Sequence, residues 1–300
     1  MCEKPLFQGA ASEVITPFTE GGDIDFELLA AEVDYLVERG ITGLFVNGLA
    51  SEALMFSQGD RAAVLKKCVE IAAGRIPVSA NIICNSVDMA TEYLREYESC
   101  GCDAVVVTPP LVYKYTEEGL FRYFDGIAGA TRLPVYLYNA PETGNKLSPE
   151  LIARLVAARS NLRGYKDSTQ DIIHQQTVLG LIEKDRHFEL LAGSDAQILT
   201  TCMLGGVGVF SLLTCVFPNL IVGICRAIAE RDWESAKDLQ QKILLVRQAM
   251  KIGPFMAAYK YVGKLTGHSF GSMRYPLSEL SEKEKQAVTA RLEELCMLPA

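Results

Sequence analysis

The chain has 300 residues, is 49% hydrophobic and carries 29 basic against 37 acidic side chains, a formal net charge of −8. That length buries one large core, and an α/β barrel of about 250 residues leaves room for a C-terminal appendage. The acidic balance argues against a general nucleic-acid-binding role, no apolar run reaches the roughly 18–20 residues that span a bilayer, and the opening MCEKPLFQGAASE is too polar for a signal peptide, so no membrane or nucleic-acid partner and a cytoplasmic location are expected.

Short apolar runs alternate with amphipathic stretches. The candidate strands, in chain order, are Ala10–Thr16, Ile41–Asn47, Ile76–Ile82, Ala104–Thr108, Pro134–Asn139, Leu162–Lys166, Phe188–Ala192 and Val207–Ser211. They stay free of charge almost to their ends, as parallel strands covered on both faces do. Between the first two, Phe26–Arg39 places Leu29, Val33 and Leu36 on one stripe, with Asp25 as N-cap and Gly40 past the end. Ser57-Gln-Gly-Asp60 and Ser148-Pro149-Glu150 read as further helix starts. Met89–Ser99, Glu117–Ala130, Ile172–Lys184 and Ala196–Leu204 read as the remaining crossovers. Eight strands, each followed by a helix, is the count of a closed (β/α)8 TIM barrel, an α/β fold. A doubly wound open sheet is the alternative, but no G-x-G-x-x-G follows the first strand.

After about Pro218 the strand signals stop. Asn219–Glu230 would close the barrel, and Trp233–Met250, Phe255–Thr266 and Ser281–Leu295 would form a C-terminal helical extension. Residues 1–230 are therefore assigned to the barrel and 231–300 to the extension of the same domain.

The nine cysteines, Cys2 among them, are odd in number, scattered and without a C-x-x-C pair, so they read as reduced thiols in a core. The close pair Cys100 and Cys102 is a weak metal signal, and His174, His187 and His268 are far apart. No metal site and no histidine-centred catalysis are expected.

In a barrel of this kind the working residues lie at the C-terminal ends of the strands. Thr16, Asn47, Thr108, Tyr138, Asn139, Lys166, Asp167, Asp195 and Ser211 all fall there. Lys166 ends the run LRGYK, where desolvation would lower its pKa and free a lone pair to attack a carbonyl. A structural pairing with Asp167 explains its position equally well. Tyr138 ends the preceding strand and could move protons beside Lys166, or simply line the barrel. The cluster Gly205-Gly206-Val207-Gly208 fits a tight turn into the eighth strand better than a phosphate cradle.

With these motifs in place, the chain resembles the dihydrodipicolinate synthase / N-acetylneuraminate lyase family of pyruvate-dependent class I aldolases over almost its whole length. The resemblance rests on Tyr138-Asn139-Ala140-Pro141 with Thr143-Gly144, Gly164-Tyr165-Lys166-Asp167-Ser168, Gly193-Ser194-Asp195, Gly205-Gly206-Val207-Gly208-Val209-Phe210-Ser211, and Met273-Arg274-Tyr275-Pro276-Leu277. It implies Lys166 as the Schiff-base nucleophile, Tyr138 as the proton-transferring phenol, no metal or organic cofactor, a small-molecule 2-oxo acid substrate and a homo-oligomer, usually a tetramer. The protonated imine would act as the electron sink.

Three departures accompany the resemblance. Where the family has G-[ST]-T-G-E, this chain has Gly48-Leu49-Ala50-Ser51-Glu52; carboxylate binding by backbone N–H groups is expected to persist at Leu49 and Ala50, while the lost hydroxyl would have to come from Ser51 or Asn47. The usual tyrosine pair after strand four appears as Leu111-Val112, followed by Tyr113. The arginine that in the synthases binds a distal carboxylate is absent, and Glu142 stands near its place. The candidate substrate contacts are Leu49, Ala50, Ser51, Asp195 and Ser211, with Asp195 either accepting from substrate hydroxyls or capping the Ala196–Leu204 helix. The leading expectation is reversible aldol cleavage of a 2-oxo-3-deoxy sugar acid, or a related hydroxy-oxo acid, to pyruvate and an aldehyde. Condensation of pyruvate with aspartate semialdehyde and a non-catalytic 2-oxo-acid-binding barrel remain as alternatives.

Overall fold

The computed structural model describes residues 4–298; Cys2 lies outside them. Eight strands, β1 (Gly9–Glu13), β2 (Gly43–Val46), β3 (Val78–Ile82), β4 (Ala104–Val107), β5 (Val135–Asn139), β6 (Leu162–Asp167), β7 (Glu189–Ala192) and β8 (Gly208–Ser211), pair in chain order and in parallel. β8 returns to β1, with Phe210 opposite Ala11, so the barrel is closed. All eight expected strands are present, each one to three residues shorter at one or both ends, except that β1 starts one residue earlier, at Gly9, and β6 runs one residue further, to Asp167.

The connecting helices are α1 (Phe26–Glu38), α2 (Gln58–Ala72), α3 (Val87–Cys100), α4 (Glu117–Gly129), α5 (Pro149–Ala158), α6 (Ile172–Leu181), α7 (Ile198–Met203) and α8 (Pro218–Ala229). Their starts are local chemistry. Asp25 Oδ1 accepts the N–H groups of Glu27 and Leu28, and Ser57 and Asp60 cap each other's backbone N–H reciprocally. Gly40, just past α1, takes a φ of +83°, a conformation that glycine adopts without strain.

Alternation along the strands sorts side chains between two cores. Val105 and Val107 face outward into the layer between sheet and helices, while Val106 faces into the barrel with Phe7, Ala11, Phe45, Tyr136, Leu191 and Phe210. Gly164 on β6 makes room for the Tyr136 ring: a Cβ there would lie 2.4 Å from it. The interior is thus a packed core whose upper layer belongs to the site.

The helical extension continues with α9 (Trp233–Ala249), α10 (Ala257–Leu265) and α11 (Glu282–Glu294). It is tied to the barrel by a buried ion pair, Lys260 Nζ to Glu52 Oε1 at 2.7 Å; Lys260 also donates to the carbonyls of Thr16 and Ser272. Among the described residues no helix is long and apolar enough to cross a membrane, and no three His, Cys, Asp or Glu side chains converge as a metal site.

Candidate active site

The register of β5 and β6 places Tyr138 directly opposite Lys166. Because neighbours on a strand face opposite ways, Lys166 enters the barrel and Asp167 leaves it. Asp167 is fully engaged outside, accepting from Tyr165 Oη, Thr169 N–H and Oγ1, and Gln175 Nε2. The pairing of Lys166 with Asp167 considered from the sequence is therefore not formed.

The Lys166 ammonium sits instead in an aromatic and acidic nest. Its Nζ lies 4.0 Å from the Tyr138 ring centroid, 4.1 Å from that of Phe45 and 5.8 Å from that of Phe210. Its ionic partner is Glu13, at the end of β1, with Oε2 at 3.4 Å. Burial alone pushes the Lys166 pKa down, as expected from the sequence, but the Glu13 carboxylate with Tyr138 beside it more than offsets this and holds the pKa above the ordinary lysine value. The sequence expectation of a depressed pKa is corrected by that carboxylate together with Tyr138.

Glu13 is itself held in place. The Ala50 N–H donates to its Oε1 at 2.9 Å, and the carboxylate runs across Gly48, where an added Cβ would stand 2.1 Å from Oε1. Gly48 has an ordinary φ of −71°, so a side chain is missing there for space and not for backbone freedom. Tyr138 is buried, which raises its pKa against the lowering effect of Lys166. Ser168 Oγ donates to the Gly193 carbonyl at 3.0 Å and lies 3.4 Å from Tyr138 Oη.

Above this group opens a cavity of about 410 Å3, lined by Glu13, Ala50, Tyr138, Ser168, Asp195 and Arg247 among others. Leu49 and Glu142 also line it, as the sequence suggested for Leu49. Asp195 is buried in the wall; its Oδ1 has no hydrogen-bond partner, and burial pushes its pKa up, opposed first by the Ser211 hydroxyl. The helix cap after β7 is Ser194, whose Oγ accepts the Ala196 N–H, so the carboxylate of Asp195 is not spent on capping.

Other expected contacts lie elsewhere. Ser51 is buried with its hydroxyl on the Gly48 carbonyl at 2.7 Å, and Ser211 Oγ accepts the Thr214 N–H; neither is on the cavity wall. Asn47 faces away, donating to the Arg61 carbonyl. Neither Ser51 nor Asn47 restores a hydroxyl beside Tyr138; Ser168 is the one near it. Val112 and Tyr113 are exposed and stand outside the cavity wall. The glycine cluster forms the turn from α7 into β8.

Sequence reasoning missed Glu13, Arg247 on α9 and Tyr259 on α10, which complete the wall. For Glu13 a signal existed: a carboxylate inside the otherwise apolar first strand at an inward position. Arg247 and Tyr259 carried none, since their helices read only as packing.

Known proteins share the sequence family and the fold. A family model described as the dihydrodipicolinate synthetase family matches residues 6–295. A 4-hydroxy-tetrahydrodipicolinate synthase of Thermoanaerobacter sp. is 30% identical over 295 residues, covering 98% of both chains. A probable 2-dehydro-3-deoxy-D-pentonate aldolase, YjhH of Escherichia coli, is 31% identical over 297 residues, covering 98% of this chain and 99% of that one. The crystal structure of YagE, a prophage protein of E. coli K12 in complex with pyruvate, superposes with a TM-score of 0.93 at 30% identity, over 98% of this chain and all of that one.

Proposed function

The chain belongs to the dihydrodipicolinate synthetase family of pyruvate-dependent class I aldolases, which makes it a carbon–carbon lyase, and we propose that Lys166 is its Schiff-base nucleophile and Tyr138 its proton carrier. The observation that carries this reading is a buried amine packed against Glu13 and Tyr138, two residues of the wall of an open cavity, with the phenol on the neighbouring strand. Lys166 would attack the substrate carbonyl, and loss of water would give an iminium. As the bond between the α- and β-carbons breaks, its electron pair would become the enamine double bond and the imine π pair would return to nitrogen, while the β-hydroxyl gives up its proton and becomes the aldehyde. Tyr138, within reach of Ser168 and the cavity, would deliver and remove the protons of the carbinolamine.

Glu142 on the wall would repel a second carboxylate beside it, whereas Arg247 and Lys251 on the same wall would attract one, so the preference for aldol cleavage rests on the unpartnered Asp195 carboxylate, which suits a hydroxylated substrate. A 2-oxo-3-deoxy sugar acid, split to pyruvate and an aldehyde, is the substrate class suggested by the pentonate aldolase relative, with Asp195 accepting from its hydroxyls. Holding that acid through the Ala50 N–H requires Glu13 to move off it. Family likeness and the exposed Val112 and Tyr113 support a homotetramer, which light scattering would check; a monomer mass would remove it.

The test of the nucleophile is borohydride reduction in the presence of a panel of small carbonyl compounds, both 2-oxo acids and neutral ketones, with the adduct mapped by mass spectrometry. A reduced adduct on Lys166, absent in Lys166→Arg, is expected. Absence of any adduct across the panel would end the Schiff-base reading.

A further inference from the structure

At the N-terminal ends of β5, β6 and β7 the barrel holds a second cavity, of about 280 Å3, that the chemistry at Lys166 does not use. Arg132, Ser160, Asn161, Arg163, Arg186 and His187 line it, from the loops that lead out of α4, α5 and α6. No acidic side chain stands on its wall among the described residues. Arg163 and Lys166 lie toward opposite ends of β6, about 10 Å apart along the strand, and the packed interior containing Tyr136 separates the two ends. A molecule held here cannot reach the amine, so it is a ligand other than the substrate.

The three loops are tied together before any ligand arrives. Asn161 Nδ2 donates to the carbonyls of Ala128, Thr131 and Leu133, which fixes the segment carrying Arg132. Arg186 Nη2 donates to the carbonyls of Arg159, Ser160 and Leu162. Arginine at the end of a helix has a reason of its own, because the carbonyl end favours a cation. That reason accounts for Arg186 Nη2 and goes no further. Arg186 Nε is buried without a hydrogen-bond partner, and the exposed Arg132 makes no hydrogen bond, ion pair or ring contact among the described residues.

The charges do not cancel. Arg163 is engaged, donating from Nε to Glu189 Oε1 at 2.7 Å and from Nη2 to the Lys4 carbonyl, and His187 Nε2 stands 2.8 Å from the same Glu189 oxygen. Burial pushes the Glu189 pKa up, but hydrogen bonds from Arg163, His187 and Tyr136 outweigh it and hold the carboxyl below its usual range. Glu189 is thus ionised and already spoken for. Arg132 and Arg186 each bring a positive charge that no carboxylate among the described residues meets.

We propose that this cavity binds a phosphate dianion, either free inorganic phosphate or the phosphate end of a small metabolite, between the Arg132 and Arg186 guanidiniums, with the Ser160 hydroxyl open to a third oxygen. A phosphate monoester carries close to two negative charges at neutral pH and presents three acceptor oxygens, which suits two guanidiniums and a hydroxyl arriving from three loops. A single carboxylate is flat, carries one charge and leaves the second arginine unmatched. Helix carbonyl ends would repel an anion, but Asn161 and Arg186 Nη2 already occupy those nearest the cavity. The attraction therefore rests on the arginine side chains and not on backbone N–H groups.

Inorganic phosphate is titrated into the native protein by calorimetry at fixed ionic strength, with glycerol 3-phosphate and succinate in parallel. Saturable binding of one phosphate per chain is expected, weakened about tenfold by Arg132→Ala through loss of one charge-assisted contact. Arg247→Ala, which alters the cavity beside Tyr138, is expected to leave that affinity unchanged. Arg132 is exposed, so its variant is expected to fold, and borohydride labelling of Lys166 is expected to match the native protein. Tighter binding of glycerol 3-phosphate assigns a phosphorylated metabolite and tighter binding of inorganic phosphate assigns the free ion; either supports the site. Succinate binding as tightly as both phosphates overturns the phosphate assignment. No saturable binding, binding that survives Arg132→Ala, or binding lost in Arg247→Ala overturns the site itself, and each of these results leaves Lys166 as nucleophile untouched.

Discussion

Replacing Glu13 by Gln removes one charge from beside Lys166 and leaves the burial, so the lysine pKa should fall below its ordinary value. The pair stands at 3.4 Å. At an effective dielectric of about 20 such a pair is worth about 5 kcal/mol. If relaxation of the loop and entry of water into the cavity recover half of that, the remainder corresponds to a drop of about two pKa units, at about 1.4 kcal/mol per unit. The aromatic faces of Phe45 and Tyr138 still favour the ammonium and keep the fall from being larger. Lysine labelled with 13C at the ε carbon reports this directly: the Lys166 resonance, assigned by its loss in Lys166→Arg, should titrate above the bulk lysines in the native protein and about two units lower in Glu13→Gln. At pH 8 the neutral amine would then be about a hundredfold more abundant, and capture of a reactive carbonyl should quicken accordingly. A Lys166 resonance that titrates at the same pH in both proteins would refute the assignment of Glu13 as the group that sets it.

Gly48→Ala should drive the Glu13 carboxylate away from Ala50, lowering the Lys166 pKa in the same titration and reducing stability to denaturant by about 1–3 kcal/mol. Tyr138→Phe keeps the ring against Lys166 and loses the hydroxyl; turnover on an identified substrate should fall about 10²–10⁴-fold, with stability to denaturant nearly unchanged. Lys260→Met strands the buried Glu52 carboxylate and should cost about 3–5 kcal/mol in denaturant unfolding, while Lys166 adducts still form in the folded fraction. Glu32 is pushed up to about 8 by burial, from an unfolded value near 4.5, so its contribution to stability is complete below pH 4.5 and is lost as pH rises through 8. The unfolding free energy should decline across that window by up to about 1.4 kcal/mol per pH unit, and Glu32→Gln, which keeps an oxygen for the Ile15 N–H, should flatten the decline; equal slopes would refute it.

The strands were legible because each is a short apolar run bounded by turn residues, and eight such runs alternating with capped helices leave few architectures open. Asp25, Ser57 and Ser148 announce their helices because capping is decided by residues within one turn of each other. Lys166 and Tyr138 were legible as strand-end polar residues, and the barrel then brought them together through the register of adjacent strands. What stayed hidden was every contact made across the barrel. Lys166 was weighed against Asp167, its neighbour in the chain, whereas strand alternation sends that side chain to the far face and the partner comes from 153 positions away.

The same distinction explains why the sequence motifs placed the amine and the phenol but not the charge around them. An amine, a phenol and a cavity are supplied by β5 and β6 together, and a motif on each strand suffices to place them. The charge around the amine is a sum over the whole rim, and in a closed barrel a side chain of β1 reaches Lys166 on β6 across the interior. One carboxylate at the inward end of β1 stands 3.4 Å from the amine and, with Tyr138, reverses the direction in which burial alone would move Lys166. Glu13 therefore belongs to the charge that any carbonyl compound entering the cavity meets, and no motif on β5 or β6 could have announced it.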